Sequence, residues 1–202
     1  LHVKSGSPLA GEKVQAYLDG SGDVNAAFPR GKTNMRMFLK TDLVSPTLLL
    51  VAASCQDHSK RVELVTLLLE HGAQVTLSNY SGGFTALMLA ASCAKNLPLV
   101  RLLLERGADV NARNRAMEMY ALDYAVDSGS VDIVRELLKR GPSDVWSALS
   151  RAEDYAQSMR RRNRLVPKSL LDIITLLRKC AKAADKVDDE GASPASREAA
   201  ME

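Results

Sequence analysis

The sequence has few aromatic residues, few cysteines and no long apolar run, and each shortage excludes some classes of protein. Phe, Trp and Tyr make up 4% of the 202 residues, so a core must be built from Leu, Val and Ala. The three cysteines form no CxxC pair, which argues against a disulfide framework or a zinc ribbon. No run reaches the ~18 apolar residues of a membrane-spanning helix, and no basic-then-apolar leader is present.

The charge balance excludes little by itself. There are 27 Lys and Arg residues against 24 Asp and Glu residues, and a net charge of +3 is too small to indicate nucleic-acid binding. The length fits one domain, or one domain with a tail. Because the chain begins at Leu1 and not at Met, we expect a fragment or a processed chain.

A sequence pattern repeats along the middle of the chain. Its clearest copy reads TALMLAA at residues 85–91 and LVRLLLERGADVNA at residues 99–112. An earlier copy reads TLLLVAA and LLLEHGAQV, and a later copy reads YALDYAV and IVRELLKRG. The glycines Gly72, Gly107 and Gly141 hold the same place in these copies, 35 and 34 positions apart. Such a period predicts a solenoid of stacked units.

Each copy predicts a pair of amphipathic helices. Leu87 and Ala90 lie on one face of the first helix, where alanine lets neighbouring helices approach closely. Leu103 and Leu104 belong to the apolar stripe of the second helix, and Gly107 follows it where a left-handed stop favours glycine. One pair is too small to bury its own stripe, so stacked pairs must share one continuous core.

The copies resemble the ankyrin repeat, whose pattern reads TPLHxAA and then VVxLLLxxGADVNA. The resemblance implies an all-α solenoid of stacked helix-turn-helix units with hairpin loops, about four to five repeats including degenerate caps. We expect an ankyrin repeat domain over residues 1–182 and an acidic, disordered tail over residues 183–202. The expected repeats are residues 1–26 (partial), 45–78, 79–113, 114–146 and 147–182 (cap), with an insert at residues 27–44.

The resemblance also implies a place for a partner. Ankyrin repeats usually hold partners on a concave face made by hairpin tips and the ends of the first helices. Aromatic, Met and Arg side chains are favoured at interface cores. Phe84 and Met119 have a second reading, in which they only cover the hairpin bases. The candidate partner-binding residues are Tyr80, Ser81, Phe84, Arg113, Arg115, Met119, Cys93 and Asp127.

Two departures from the repeat are basic. From Ala26 to Thr47 is 21 positions, whereas Ala112 to Tyr120 is 8, so the first hairpin carries an insertion. It either grips an acidic, partly apolar partner or packs over the first repeat. The second departure, at residues 160–164, is a nuclear-import signal, an acidic-partner patch or a solvated turn. The candidate basic patch comprises Arg30, Lys32, Arg36, Lys40, Arg160, Arg161, Arg162 and Arg164.

No catalytic or metal-binding constellation is visible in the sequence. The three histidines have no Ser, Cys or carboxylate at a telling spacing, and no set of three or four metal ligands assembles. The stretch from Ala26 to Thr33 matches a phosphate-binding loop only loosely and has no strand before it. We therefore expect no enzyme activity, no cofactor and no metal.

The sequence favours a non-catalytic protein–protein interaction module that binds a partner protein through its concave surface. Two alternatives stay open: a regulatory segment of a larger enzyme or channel, and polyanion or nucleic-acid binding through residues 30–40 and 160–168. We expect an intracellular monomer, in the cytoplasm or nucleus, with no membrane contact. The fold alone does not name the partner.

Overall fold

A computed structural model describes residues 10–27, 47–55, 57–79, 83–142 and 144–190. Within these ranges the chain is helical, with turns and hairpin loops between the helices and no extended strand. The helices in chain order are α1 (Ala10–Asp19), α2 (Leu48–Ala53), α3 (His58–Glu70), α4 (Ala86–Ala91), α5 (Leu97–Glu105), α6 (Ala121–Ser128), α7 (Val131–Leu138), α8 (Val145–Arg161) and α9 (Lys168–Glu190).

The helices form two layers. Each of α2, α4, α6 and α8 packs against the helix that follows it, which gives four helix-turn-helix pairs. The first helices of successive pairs also pack on each other, and so do the second helices from α3 to α9. Helix α1 packs on α3, so it holds the place of a second helix in the repeat before α2. The predicted all-α solenoid is confirmed.

The first helices of the first three pairs, α2, α4 and α6, are short and almost wholly buried. Every residue of α4 is buried, and Ala90 and Ala91 show no exposed surface. Thr47 and Thr85 cap α2 and α4, because their hydroxyls accept hydrogen bonds from the amides of Leu50 (3.4 Å) and Met88 (3.3 Å). A small, buried first helix lets neighbouring repeats approach closely, so the shared core is continuous from α2 to α9.

The second helices end as the glycine pattern predicts. Gly107 has a φ of 83°, and the next amide, that of Ala108, donates to the carbonyl of Leu103 at 2.9 Å. Gly72 and Ala73 repeat the same arrangement at the end of α3. A Cβ at Gly72 or Gly107 would meet nothing within 4 Å, so the left-handed backbone and not lack of space requires glycine.

A backbone bridge closes the base of the first hairpin. Ala27 and Thr47 form an isolated antiparallel bridge, and residues 28–46 lie outside the described residues. The bridge places Ala27, the first residue of the expected insert at residues 27–44, beside Thr47, which caps α2. The expected basic residues Arg30, Lys32, Arg36 and Lys40 therefore lie outside the described residues.

The last repeat differs from the others because a helix replaces its hairpin. Residues 106–120 separate α5 from α6, but only residues 139–144 separate α7 from α8. Asp144 caps α8 by accepting a hydrogen bond from the amide of Ser147 at 2.9 Å. Helix α9 continues to Glu190, beyond the expected tail boundary at residue 183, and residues 191–202 lie outside the described residues.

Truncation of a shared core leucine should destabilise the whole array. Leu103 has no exposed surface, and Leu103→Ala should lower the free energy of unfolding by about 2–5 kcal/mol, because it leaves a cavity between repeats. Leu171 is 40% exposed on α9, so Leu171→Ala is the control and should change it by about 0.5 kcal/mol or less. Urea unfolding followed by circular dichroism measures both, and equal losses would contradict the shared core.

Candidate partner-binding surface

The tip of the third hairpin (the hairpin tip, residues 113–118) is built around a buried asparagine. Asn114 has no exposed surface, and its backbone amide donates to the carbonyl of Met119 at 2.8 Å across the hairpin base. The side-chain oxygen of Asn114 accepts hydrogen bonds from the amides of Ala116 (2.9 Å) and Met117 (3.2 Å). Its Nδ2 donates to the hydroxyl of Tyr124 on α6 at 2.9 Å. One side chain thus fixes the tip to the helix below it.

The Tyr124 hydroxyl is held protonated. Burial is the main cause that raises its pKa to about 12. The hydroxyl in turn contacts the sulfur of Met117 at 3.7 Å. The hydroxyl therefore keeps the proton with which it contacts Met117, while its oxygen accepts the hydrogen bond from Asn114.

The second and third hairpins lie against each other. A Cβ at Gly83 would come 3.3 Å from the carbonyl oxygen of Arg113 and 3.4 Å from the amide nitrogen of Arg115. Gly83 also has a φ of 69°, which a side chain rarely adopts. This glycine therefore brings the backbones of the two hairpins together.

Several side chains of the hairpin tip remain accessible. Arg113 and Glu118 form an ion pair at 3.1 Å, with exposed side-chain fractions of 51% and 72%. Arg115 is exposed, and Met117 is 44% exposed. The tip therefore presents guanidinium and thioether groups on a fixed backbone, which suits recognition of carboxylates and apolar groups.

Two of the candidate anchors are core residues. Phe84 and Met119 are 3% and 5% exposed, and the Phe84 ring lies 5.8 Å from the ring of Tyr124 in a tilted pair. Their side chains are buried in the core below the hairpins. Phe84 and Met119 therefore cover the hairpin bases, which was the second of the two interpretations offered from the sequence. A partner does not reach them in this structure, and we leave them out of the proposed site.

The remaining candidate anchors differ in how they are placed. Tyr80 and Ser81 lie outside the described residues. Cys93 is half-buried with a free thiol, just after α4, and Asp127 is exposed near the end of α6. Cys93 and Asp127 are thus near the ends of neighbouring first helices, where the resemblance implied a partner.

A charged cluster joins α6 to α8. Asp123 is 1% exposed, and its Oδ1 lies 3.5 Å from Nε of Arg151, although these two buried atoms make no well-directed hydrogen bond. Its Oδ2 accepts a hydrogen bond from the amide of Tyr120 at 2.8 Å and so caps α6. Burial raises the pKa of Asp123, while the Tyr120 amide and Arg151 oppose that rise. Burial likewise raises the pKa of the nearby Asp127 carboxyl, against the pull of Arg151.

A second polar link, missed by the sequence analysis, joins earlier repeats. Arg61 is 4% exposed, and its guanidinium donates to the carbonyl of Cys55 and to the side-chain oxygen of Asn96. Asn96 then donates to the carbonyl of Ala90 at 3.1 Å. Arg61, near the start of α3, therefore ties one repeat to the next. An arginine is usually exposed, so only the contacts reveal this role.

Two exposed aromatic residues of α8 were also missed. Trp146 and Tyr155 are each 53% exposed. The buried residues of α8 are Ala148, Leu149, Ala152 and Ala156. Both aromatics fall outside that stripe, and the spacing of the alanines is the sequence signal that would have found them.

The described arginines of the candidate basic patch lie together. Arg160, Arg161, Arg162 and Arg164 are all exposed, at the end of α8 and in the turn that follows. They are separated in sequence from the hairpin tip and sit at the opposite end of the helices from the hairpins.

Among the described residues, no group of three or more His, Cys, Asp and Glu side chains is placed to hold a metal ion. None of the described helices combines the length and the apolar character that crossing a bilayer requires.

The stacked helix-turn-helix pairs define a repeat solenoid, and comparison with known families identifies which one. A family model described as ankyrin repeats, in three copies, matches residues 26–114. A model of the single ankyrin repeat matches residues 118–149, so the two together span more than half of the chain. The chain belongs to the ankyrin repeat family. A search of curated proteins found no match.

Removal of the buried asparagine should release the hairpin tip. Asn114→Ala should lower the free energy of unfolding by about 1–3 kcal/mol, because the amides of Ala116 and Met117 and the Tyr124 hydroxyl lose their partner. Hydrogen exchange at the two amides should accelerate. Arg115→Ala, at an exposed position of the same tip, is the control, and protection retained in Asn114→Ala would show that other contacts hold the tip.

Loss of the arginine between α6 and α8 should weaken the docking of the last repeat. Arg151→Leu leaves the buried Asp123 carboxyl without its cation, and we expect a loss of about 1–3 kcal/mol in the free energy of unfolding. Arg178→Leu removes an exposed pair with Glu153 and should cost about 1 kcal/mol or less. Thermal unfolding of the two variants compares them, and a larger loss for Arg178→Leu would refute the role of burial.

Proposed function

We propose that this chain is a non-catalytic interaction module that binds a partner protein on its concave surface. Ankyrin repeats are generally protein–protein interaction modules and are typically non-catalytic. The observation that carries the proposal is the hairpin tip, where Arg113, Arg115 and Met117 are accessible on a backbone held by the buried Asn114. A fixed backbone reduces the conformational entropy lost on binding.

The proposed surface extends from the hairpin tip to the ends of the first helices. It includes the half-buried Cys93 and the exposed Asp127, and we propose that Tyr80 and Ser81 of the second hairpin complete it. Exposed arginines and a methionine beside a carboxylate favour a partner with carboxylate and apolar groups near a basic side chain. Such mixed chemistry is typical of a protein surface and not of a small metabolite.

The location of the protein follows from its cysteines, within the same proposal. Cys55, Cys93 and Cys180 are all free thiols in the structure. Free thiols persist in reducing compartments, so we propose a cytoplasmic or nuclear protein. A role as the regulatory segment of a larger enzyme or channel uses the same surface and differs only in where the partner resides.

The test asks whether a change at the hairpin tip abolishes the binding of one specific protein. The full chain is used to capture proteins from an extract of cells that express it, and bound proteins are identified by mass spectrometry. The tip variant Arg113→Ala, Arg115→Ala, Met117→Ala should lose the specific partner. Binding of that purified partner should then weaken by about tenfold or more, because arginine anchors dominate interface energies.

The convex side supplies the matched control. Arg135→Ala with Lys139→Ala removes two half-exposed cations from α7 and its C-terminal cap, away from the first helices. This control should bind the purified partner as the unmodified chain does. Equal loss in both variants would indicate a charge effect without a defined site, and no loss in the tip variant would move the site elsewhere.

A further inference from the structure

The turn that joins α8 to α9 (the basic turn, residues 160–168) lies on the edge of the solenoid away from the hairpins. A Cβ at Gly129, in the turn between α6 and α7, would come 3.8 Å from the hydroxyl of Ser169 at the start of α9. The basic turn is therefore the neighbour of the preceding interhelical turn. It lies at the opposite end of the helices from the hairpin tip.

The charges of the basic turn are not neutralised within the described structure. Its cationic residues are exposed, and no described carboxylate forms an ion pair with any of them. Elsewhere on the surface, exposed arginines do find partners: Arg113, Arg135 and Arg178 each pair with a carboxylate within 3.1 Å. The cationic residues of the turn are Arg160, Arg161, Arg162, Arg164 and Lys168.

Helix stability does not account for this concentration of charge. Cations near the C-terminus of α8 are favourable, since that end of a helix carries about half a negative charge. However, Lys168 is the first residue of α9, where the helix end is positive and a cation is unfavourable. The negative end of α8 and the positive end of α9 lie together and largely offset each other. The excess of cations thus remains for an external anion.

The backbone of the basic turn is fixed. The amide of Arg164 donates to the carbonyl of Met159 at 2.9 Å, and the amide of Asn163 donates to the carbonyl of Arg160 at 3.0 Å. Asn163 adopts a left-handed φ of 53°, which asparagine tolerates better than most residues. Met159 and Val166, at the two ends of the turn, pack against the core. The guanidiniums are therefore presented on a preorganised loop.

An apolar side chain stands among these charges. Leu165 is 96% exposed, the largest exposure of any large hydrophobic residue described. Single exposed leucines are common on protein surfaces, but this one directly follows a segment with four arginines that form no ion pair with a described carboxylate. A partner that satisfies the whole turn must offer both carboxylates and an apolar group.

We propose that the basic turn is a second docking surface, which binds an acidic protein segment that carries an apolar side chain. The carboxylates of the segment pair with the guanidiniums, and its apolar side chain covers Leu165. A nucleic acid gains nothing from Leu165, and residues 160–168 offer no aromatic ring for base stacking. An anionic membrane would lie against the whole edge, where the exposed Asp127 beside the neighbouring turn repels it.

The probe is a fluorescent peptide of alternating glutamate and leucine, titrated against the full chain and followed by fluorescence anisotropy. Arg161→Gln with Arg162→Gln and Arg164→Gln should weaken binding by about tenfold or more, because it removes three cations. Leu165→Ser should weaken binding by about tenfold, because it removes the apolar contact. All four positions are exposed, and unchanged thermal unfolding will confirm that the variants remain folded.

Two controls separate the basic turn from other exposed cations and from simple charge attraction. Lys139→Gln with Arg140→Gln, at two exposed positions just after the end of α7 and away from the basic turn, should leave binding of the glutamate–leucine peptide unchanged. A second peptide of alternating glutamate and serine should bind about tenfold more weakly than the first, since it lacks apolar side chains. Together these results support the proposal whether or not the concave surface binds a protein.

The remaining outcomes overturn the proposal. Equal binding of the two peptides, with no effect of Leu165→Ser, would reduce the turn to a nonspecific cationic surface. Tighter binding of a single-stranded oligonucleotide than of the glutamate–leucine peptide would assign it to nucleic acid. Co-sedimentation with phosphatidylcholine vesicles that contain phosphatidylserine, lost in the arginine variant, would assign it to a membrane. No binding of the peptide would leave the turn without a docking role.

Discussion

The structure depends on apolar contacts between neighbouring repeats. No helix pair in the described part of the chain encloses a core of its own, so the stripes of α2 to α9 are buried only because each pair lies on the next. Residues such as Leu99, Leu103 and Ile133 have no exposed surface for this reason. The hairpins and turns connect the helices of that core, so the spacing between stacked helices sets the positions of their charged groups.

Where apolar contacts are interrupted, polar links connect the repeats. Arg61 and Asn96 join the α2–α3 pair to the α4–α5 pair along the edge of the interhelical turns, and Asp123 and Arg151 join α6 to α8. Both links bury charge, which costs desolvation energy. In the second link an apolar repeat position has become charged, because Asp123 holds the position that Met88 holds in the preceding repeat.

The fold was largely predictable from the sequence, whereas the surface was predictable only in part. Periodic alanines and leucines predicted the helices, and Gly107 predicted a left-handed stop, because packing and backbone geometry act locally and leave a pattern. Exposure depends on contacts between distant segments, so the sequence alone left Phe84 and Met119 between two readings. For the same reason Arg61 had no predicted role, and the sequence did not distinguish its buried guanidinium from the exposed arginines of residues 160–164.

In the α8–α9 pair, the first turns of α8 replace a hairpin. This difference affects where a further repeat can be added. The hairpins rest on one another through close backbone contact, as Gly83 shows against Arg113 and Arg115. A new unit added beyond α9 would find a helix, with Trp146 near its start, where its own hairpin needs a matching neighbour. Duplication of an internal unit meets no such mismatch. Among the described repeats, a new hairpin therefore finds a matching neighbour between internal units and not beside α8.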